Sequence, residues 1–468
     1  MSDDARNTAN ARAAQFLEAL HEHEISRAKG MLDAQPDLAT HNILTAAAVG
    51  DVQTVSRFLA ADPSLATRTN PPDTTEPIIY AVFSELKHAL GVTESAQVAT
   101  VRLLLDAGAS PNASVPLPDV SERIPVLYFP CSTNAVAVAR LLLERGANPT
   151  DGESVYHAAQ HDHRECLELL LEFGADLSRG PVQFGNTPLH FLAAHRASNP
   201  ISNTVVRGMQ WLLEHGADPN VPSHGVHEGH PKSQAGETPL HRAAASGHGE
   251  AVMRMLVDHG AIVDTPRADG ITAYALAVRA GNTSAAAYLA GAGADTARLT
   301  PIDRLLGACA TAHETEAHAI VAQHPAIISQ LPPDDRETLG IAVFDDRLDV
   351  LQLMLSLNWP LTQESEWGGT PLHWAAWNGR VSMVKLLLES GAPVNVRDTR
   401  YGSSPIAWAA HGSLHCERGN DIDYPAIAHL LLDAGATRAE SFNQWGESPE
   451  SVARSSVAEV LTSRGFAV

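Results

Sequence analysis

A tetrad, Thr-Pro-Leu-His, occurs at residues 187–190, 238–241 and 370–373, each time inside a longer stretch that resembles the other two. The clearest copies read AGETPLHRAAASGHGEAVMRMLVDHGAIVD from Ala235 and WGGTPLHWAAWNGRVSMVKLLLESGAPVN from Trp367, with FGNTPLHFLAAH from Phe184 as a third. Their spacing is roughly 33 residues, stretched by insertions, and a repeat of that length is a supersecondary unit that must stack on its copies to bury its apolar face. Within each copy the threonine is placed to cap a helix, and the proline follows at the first helical position, where a missing N–H costs nothing. The pairs Ala243–Ala244 and Ala375–Ala376 permit close approach of the next repeat. Gly247 and Gly379 end the first helix, and Gly260 and Gly391 end a second helix rich in Val and Leu.

Weaker copies fill most of the remaining sequence, among them ILTAAAVGDVQTVSRFLAADPSLA, SVYHAAQHDHRECLELLLEFGADLS and ETLGIAVFDDRLDVLQLMLSLNWPL. In residue detail the copies resemble the ankyrin repeat. The resemblance implies an all-α solenoid of about 12–13 helix-turn-helix repeats with hairpin loops, wound into a curved superhelix. It also implies that His190, His241 and His373 bond backbone between neighbouring repeats, and that partners are held on the concave face. Around Thr300 the motif decays to TPIDRLLGACATAHETEAHAIVAQHPAII, in the style of the first repeats. Two arrays are therefore expected, residues 1–299 and 300–468, with continuous stacking as the alternative.

The formal charge is −22, from 54 acidic and 32 basic residues. A field of that sign repels phosphate backbones and anionic lipid, so neither nucleic acid nor membrane is an expected partner. The first residues lack a basic then apolar leader, and nothing approaches about 18 uninterrupted apolar residues, so a cytoplasmic, monomeric protein is expected. Cys131, Cys166, Cys309 and Cys416 form no CxxC pair, and the His-acid runs at His161 and His313 are better explained by caps and solvated faces than by a metal site. No cofactor is expected. Phosphate-loop, dinucleotide and nucleophile-elbow motifs are absent in a supporting context.

Six of the seven tryptophans lie in the last quarter of the chain. Trp374 and Trp408, just before alanine pairs, read as core. Trp367, Tyr401 and Trp445 each precede the glycine that opens a repeat, as Phe184 does upstream, and should line up on successive hairpin tips. Trp377 and His411 follow alanine pairs, at the position that the ankyrin resemblance turns toward the groove, with Asn378 next to Trp377. Exposed aromatics in such number mark a recognition surface, although rings that merely pack hairpins would give the same pattern. After Ala410 the copy breaks into HGSLHCERGNDIDYP, read as a loop that brings His411, Asp421, Asp423 and Tyr424 beside that groove. Comparable insertions follow Phe83 and His195 and extend a hairpin after Val221.

The stretches TPLHWAAWNGR, RDTRYGSSPIAWAAHGS and DYPAIAHLLLDAGA also look like the C-terminal part of a group of bacterial ankyrin-repeat proteins, which implies a bacterial source and no settled activity. The function expected first is protein–protein interaction. The alternative is a small-molecule-binding protein or an enzyme with an aromatic-lined site at about residues 367–447, holding an apolar or sugar-like ligand. His411 would then be acid or base, with Asp421 or Asp423 to orient it.

Overall fold

The computed structural model describes residues 3–69, 74–116, 123–180, 186–195, 202–224, 234–365, 368–416 and 422–466. Among them the regular structure is almost all helix, as the all-α expectation requires, and the one sheet is a two-stranded ribbon, Ser114–Pro116 against Arg123–Pro125. Contacts divide the chain into two compact units, Met1–Ala273 and Tyr274–Val468.

The N-terminal unit is a succession of helix pairs, such as Ser154–Gln160 with Arg164–Glu172 and Pro239–Ala245 with Glu250–Asp258. Its first helices bury small residues completely, Ala158, Ala159, Ala243 and Ala244 among them, which lets neighbouring backbones approach. Its second helices bury Leu141, Leu142, Leu169, Leu170 and Leu256, each contributing about 1.5–3 kcal/mol of transfer free energy. In two of the three tetrads, those of His190 and His373, the histidine is a bracket between repeats, whereas His241 Nε2 is buried without a hydrogen-bond partner among the described residues. His190 Nδ1 accepts from the Thr187 N–H at 3.1 Å, which leaves Nε2–H to donate to the Glu237 carbonyl of the next hairpin at 3.0 Å. This geometry requires a neutral ring, and burial holds His190 and His241 down at about 4.

The C-terminal unit carries the same pairs: Thr338–Phe344 with Leu348–Ser356, Pro371–Trp377 with Val381–Glu389, and Pro405–His415 with Tyr424–Asp433. His373 repeats the bracket, with Nδ1 accepting from the Thr370 N–H at 3.0 Å and Nε2–H donating to the Ser403 carbonyl at 3.0 Å. One apolar core runs through the unit from Leu305 to Phe466. Thr300 opens a helix at Pro301 through a reciprocal cap with Asp303.

Two expected loops are helical instead. The stretch after Ala410 continues the first helix to His415, because Gly412 lies against the preceding repeat. A Cβ there would stand 2.5 Å from the Trp377 carbonyl oxygen, so only glycine lets the extended helix seat. The insertion after Phe83 contains the helix Ser84–Ala89, whose Lys87 is buried, with Nζ donating to the carbonyls of Tyr80 and Phe83. In the His161 run, Asp162 takes the left-handed turn (φ 59) that other repeats give to glycine, and its carboxylate pairs with Arg164 and Arg207.

Candidate functional site

Three successive repeats of the C-terminal unit converge on a pocket of about 440 Å³. Its floor comes from the first helices, which contribute Trp374, Trp377, Ala407, Trp408 and His411, and its far wall from hairpin residues Tyr401, Asn443, Trp445 and Glu447. The rings interlock edge to face: Trp374 with Trp408 at 5.1 Å between centroids, Trp377 with Trp408 at 6.0 Å, and Tyr401 with Trp408 at 6.0 Å. Tyr401 reaches Trp445 at 6.2 Å, and His411 lies 5.4 Å from Trp377. Trp445 is 65% exposed at the lip, whereas Trp408 is 6% exposed.

Trp374 and Trp408 are thus wall as well as core, which corrects their purely core reading. Both pack repeat against repeat and also line the cavity, and a hairpin glycine makes room for the Trp408 ring. A Cβ on Gly369, which has φ 79, would meet the Trp408 ring at 2.8 Å. Each indole N–H is committed, Trp374 Nε1 to Ser365 Oγ at 3.1 Å and Trp408 Nε1 to Asp398 Oδ2 at 3.0 Å.

Asp398, which sequence reasoning did not single out, organises the hairpin. It is 3% exposed, and its carboxylate accepts from the N–H groups of Arg400, Tyr401 and Ser403 as well as from Trp408. Four donors on a buried carboxylate replace the water it has lost. They also lock the backbone that carries Tyr401. The available signal was an Asp three residues before the tip aromatic, where an Asx turn forms.

The other predicted residues fall elsewhere. Asn378 is buried at the end of the Trp377 helix, its Oδ1 facing the Cys416 thiol at 3.9 Å. Tyr424 is buried too, with its hydroxyl directed at the carbonyls of Trp377 (2.7 Å) and Cys416 (3.0 Å), and burial pushes its phenol well up. It bolts the second helix beneath the pocket floor and does not line the cavity. Asp423 is exposed and caps that helix, accepting from the Ala426 N–H at 2.9 Å. Trp367 and Asp421 lie outside the described residues, as does Phe184. Among the described residues no carboxylate hydrogen-bonds His411. Burial, and then the neighbouring His415 ring at 4.5 Å, lower the His411 pKa, while the Glu447 charge opposes them. At pH 7 the ring is neutral.

A second file of rings, also missed, crosses the first helices of the N-terminal unit. Tyr128 contacts His157 at 4.6 Å, Tyr156 contacts Phe191 at 5.0 Å, and the Tyr156 hydroxyl bonds His195 Nε2 at 3.0 Å. These rings are half-buried. Their scatter through weak repeats hid the alignment. No described helix is long and apolar enough to cross a membrane.

A family model described as ankyrin repeats matches three times, at residues 131–223, 206–299 and 339–437, together more than half of the chain. Similar proteins include the probable E3 ubiquitin-protein ligase XBOS31 of Oryza sativa subsp. japonica, 30% identical over 32% of this chain and 31% of that protein. The transient receptor potential channel pyrexia of Drosophila melanogaster is 31% identical over 32% of this chain and 14% of its own length. Neurogenic locus notch homolog protein 4 of Homo sapiens is 38% identical over 25% of this chain and 5% of its own length. The chain thus spans about a third or less of the length of the curated relatives it matches. These relatives are plant, insect and human proteins, and they lend no support to the expected bacterial source.

Proposed function

Since the chain belongs to the ankyrin-repeat family, we propose that it is a binding protein whose C-terminal repeats hold a protein partner by taking one anchor side chain into the aromatic pocket. The observation that carries this reading is the convergence of rings from three successive repeats on one cavity of about 440 Å³. Trp and Tyr clustered in a desolvated depression are the composition of interface hot spots. The reading assigns this role to the array at 300–468, and it takes the protein to act as a cytoplasmic monomer.

The test is selection of a linear peptide library on the immobilised full-length protein, with the Tyr401→Ala/Trp445→Ala double variant as counter-selection. Enriched peptides should lose about tenfold or more in affinity on the variant, as expected when a hot-spot pocket is dismantled. A selection that returns only peptides indifferent to the variant would sink the reading. The same cavity falls in the size range of small-molecule sites, which favours a ligand-binding or enzymatic alternative centred on His411. Thermal-shift hits from a metabolite and sugar library that vanish in the variant, with no peptide selected, would favour it.

A further inference from the structure

The pocket's polar groups are unevenly distributed. Two of the indole donors on its walls are already spent, since Trp374 and Trp408 donate to Ser365 and Asp398. Among the described residues neither lysine nor arginine lines it, and the one formally charged lining residue is Glu447. The Glu447 Oε2 is held by Asn443 Nδ2 at 2.6 Å, which fixes a carboxylate at the rim. Arg400 stands outside the lining, with its guanidinium 5.6 Å from the centre of the Tyr401 ring.

An anion entering such a cavity would meet ring quadrupoles and a negative charge. A group that only donates and carries positive charge meets aromatic rings on several sides and a carboxylate at the mouth, a composition that suits ammonium and guanidinium groups. The chain's charge of −22 raises the local concentration of cations over its surface. The neutral His411 ring adds no repulsion.

We propose that the pocket selects an organic cation, the ammonium or guanidinium group of a basic segment on the partner. This rests on the docking reading above and specifies its anchor. The full-length protein would be titrated, following tryptophan fluorescence, with two shape-matched pairs that differ in charge: N-acetylarginine methylamide against N-acetylcitrulline methylamide, and choline against 3,3-dimethylbutan-1-ol. Each cation should bind about tenfold or more tightly than its neutral twin, a preference expected of a cation–π site. Glu447→Gln, a surface change, should erase roughly half of that preference on a logarithmic scale, and added salt should weaken the cations alone. Equal binding of the twins, a preference untouched by Glu447→Gln, or no saturable quenching by either cation would overturn the proposal. Failure of the docking reading gives a different outcome. Pocket-dependent peptides lacking Arg and Lys would leave docking standing without the cation, whereas discrimination between the twins with no peptide selected would leave a cation site without a docking partner.

Discussion

The rings of the N-terminal unit and those of the C-terminal unit sit at the same place in the repeat, and among the described residues the second set surrounds a cavity. His157 and Phe191 are the fourth residues of their helices, as are Trp374 and Trp408. In the N-terminal unit the rings run in file and spend their polar atoms on one another, as Tyr156 does with His195 and His157 with Gln160. The file stops because the next repeat places Arg242 at that position, paired with Glu237 at 2.7 Å. In the C-terminal unit Asp398 pins a hairpin so that Tyr401 reaches over Trp408, and Trp445 follows from the next tip. A row of rings on helices makes a surface, and rings added from the hairpins make an enclosure.

The largest effect that would separate the two units is acid. His190 and His241, both in the N-terminal unit, have folded pKa values of about 4 against an ordinary 6.5. Their contribution to stability is therefore complete above pH 6.5 and is lost as the pH falls from 6.5 to about 4, on the order of 3 kcal/mol each. In the C-terminal unit His373 is shifted in the same direction. Tryptophan emission reports mainly on the C-terminal unit, so helical circular dichroism should begin to fall at a higher pH than the emission changes. Coincident curves, or full stability retained to pH 4, would break the comparison.

Asp398→Ala comes next. It leaves three backbone N–H groups and one indole N–H without their acceptor, and urea denaturation should show a loss of about 2–3 kcal/mol. The pocket should disappear with it. Asp398→Asn, which keeps one acceptor oxygen, should lose less, and equal losses would mean that the carboxylate does not organise the hairpin.

Ala312 occupies the left-handed turn (φ 54) that Gly247 holds in the N-terminal unit. Removing its Cβ relieves a cost of about 1–2 kcal/mol, partly offset by the unfolded-state freedom of glycine. Ala312→Gly should therefore raise the denaturation midpoint slightly, and a lowered midpoint would contradict the strain.

The smallest expected effect on stability is that of Trp445→Ala. With the indole mostly exposed, the change should be within about 0.5 kcal/mol, while pocket binding falls. A large destabilisation would show that the ring packs hairpins together and does not wait for a ligand.

The repeat, its caps and its brackets were legible without coordinates because each is local. Thr, Pro and His within one tetrad determine a helix start and its neutral imidazole, and alanine pairs determine how close the next helix comes. The convergence of Trp377, Tyr401, His411 and Trp445 also follows from register along a one-dimensional stack. What tertiary structure decided is which way each side chain near that register turns. Asn378 and Tyr424 are buried beneath the aromatics, Tyr424 donating to the carbonyls of Trp377 and Cys416 and Asn378 facing the Cys416 thiol. Trp374 and Trp408 look like core in the repeat pattern and line the cavity, and Gly369 makes room for the Trp408 ring. Asp398 looks like an ordinary turn residue, and its importance comes from an indole ten positions later that only the folded hairpin brings within 3.0 Å. Helix periodicity says which face a residue occupies. Whether that face meets a neighbour, a hairpin or an open cavity depends on contacts between repeats, which a single repeat's sequence does not contain.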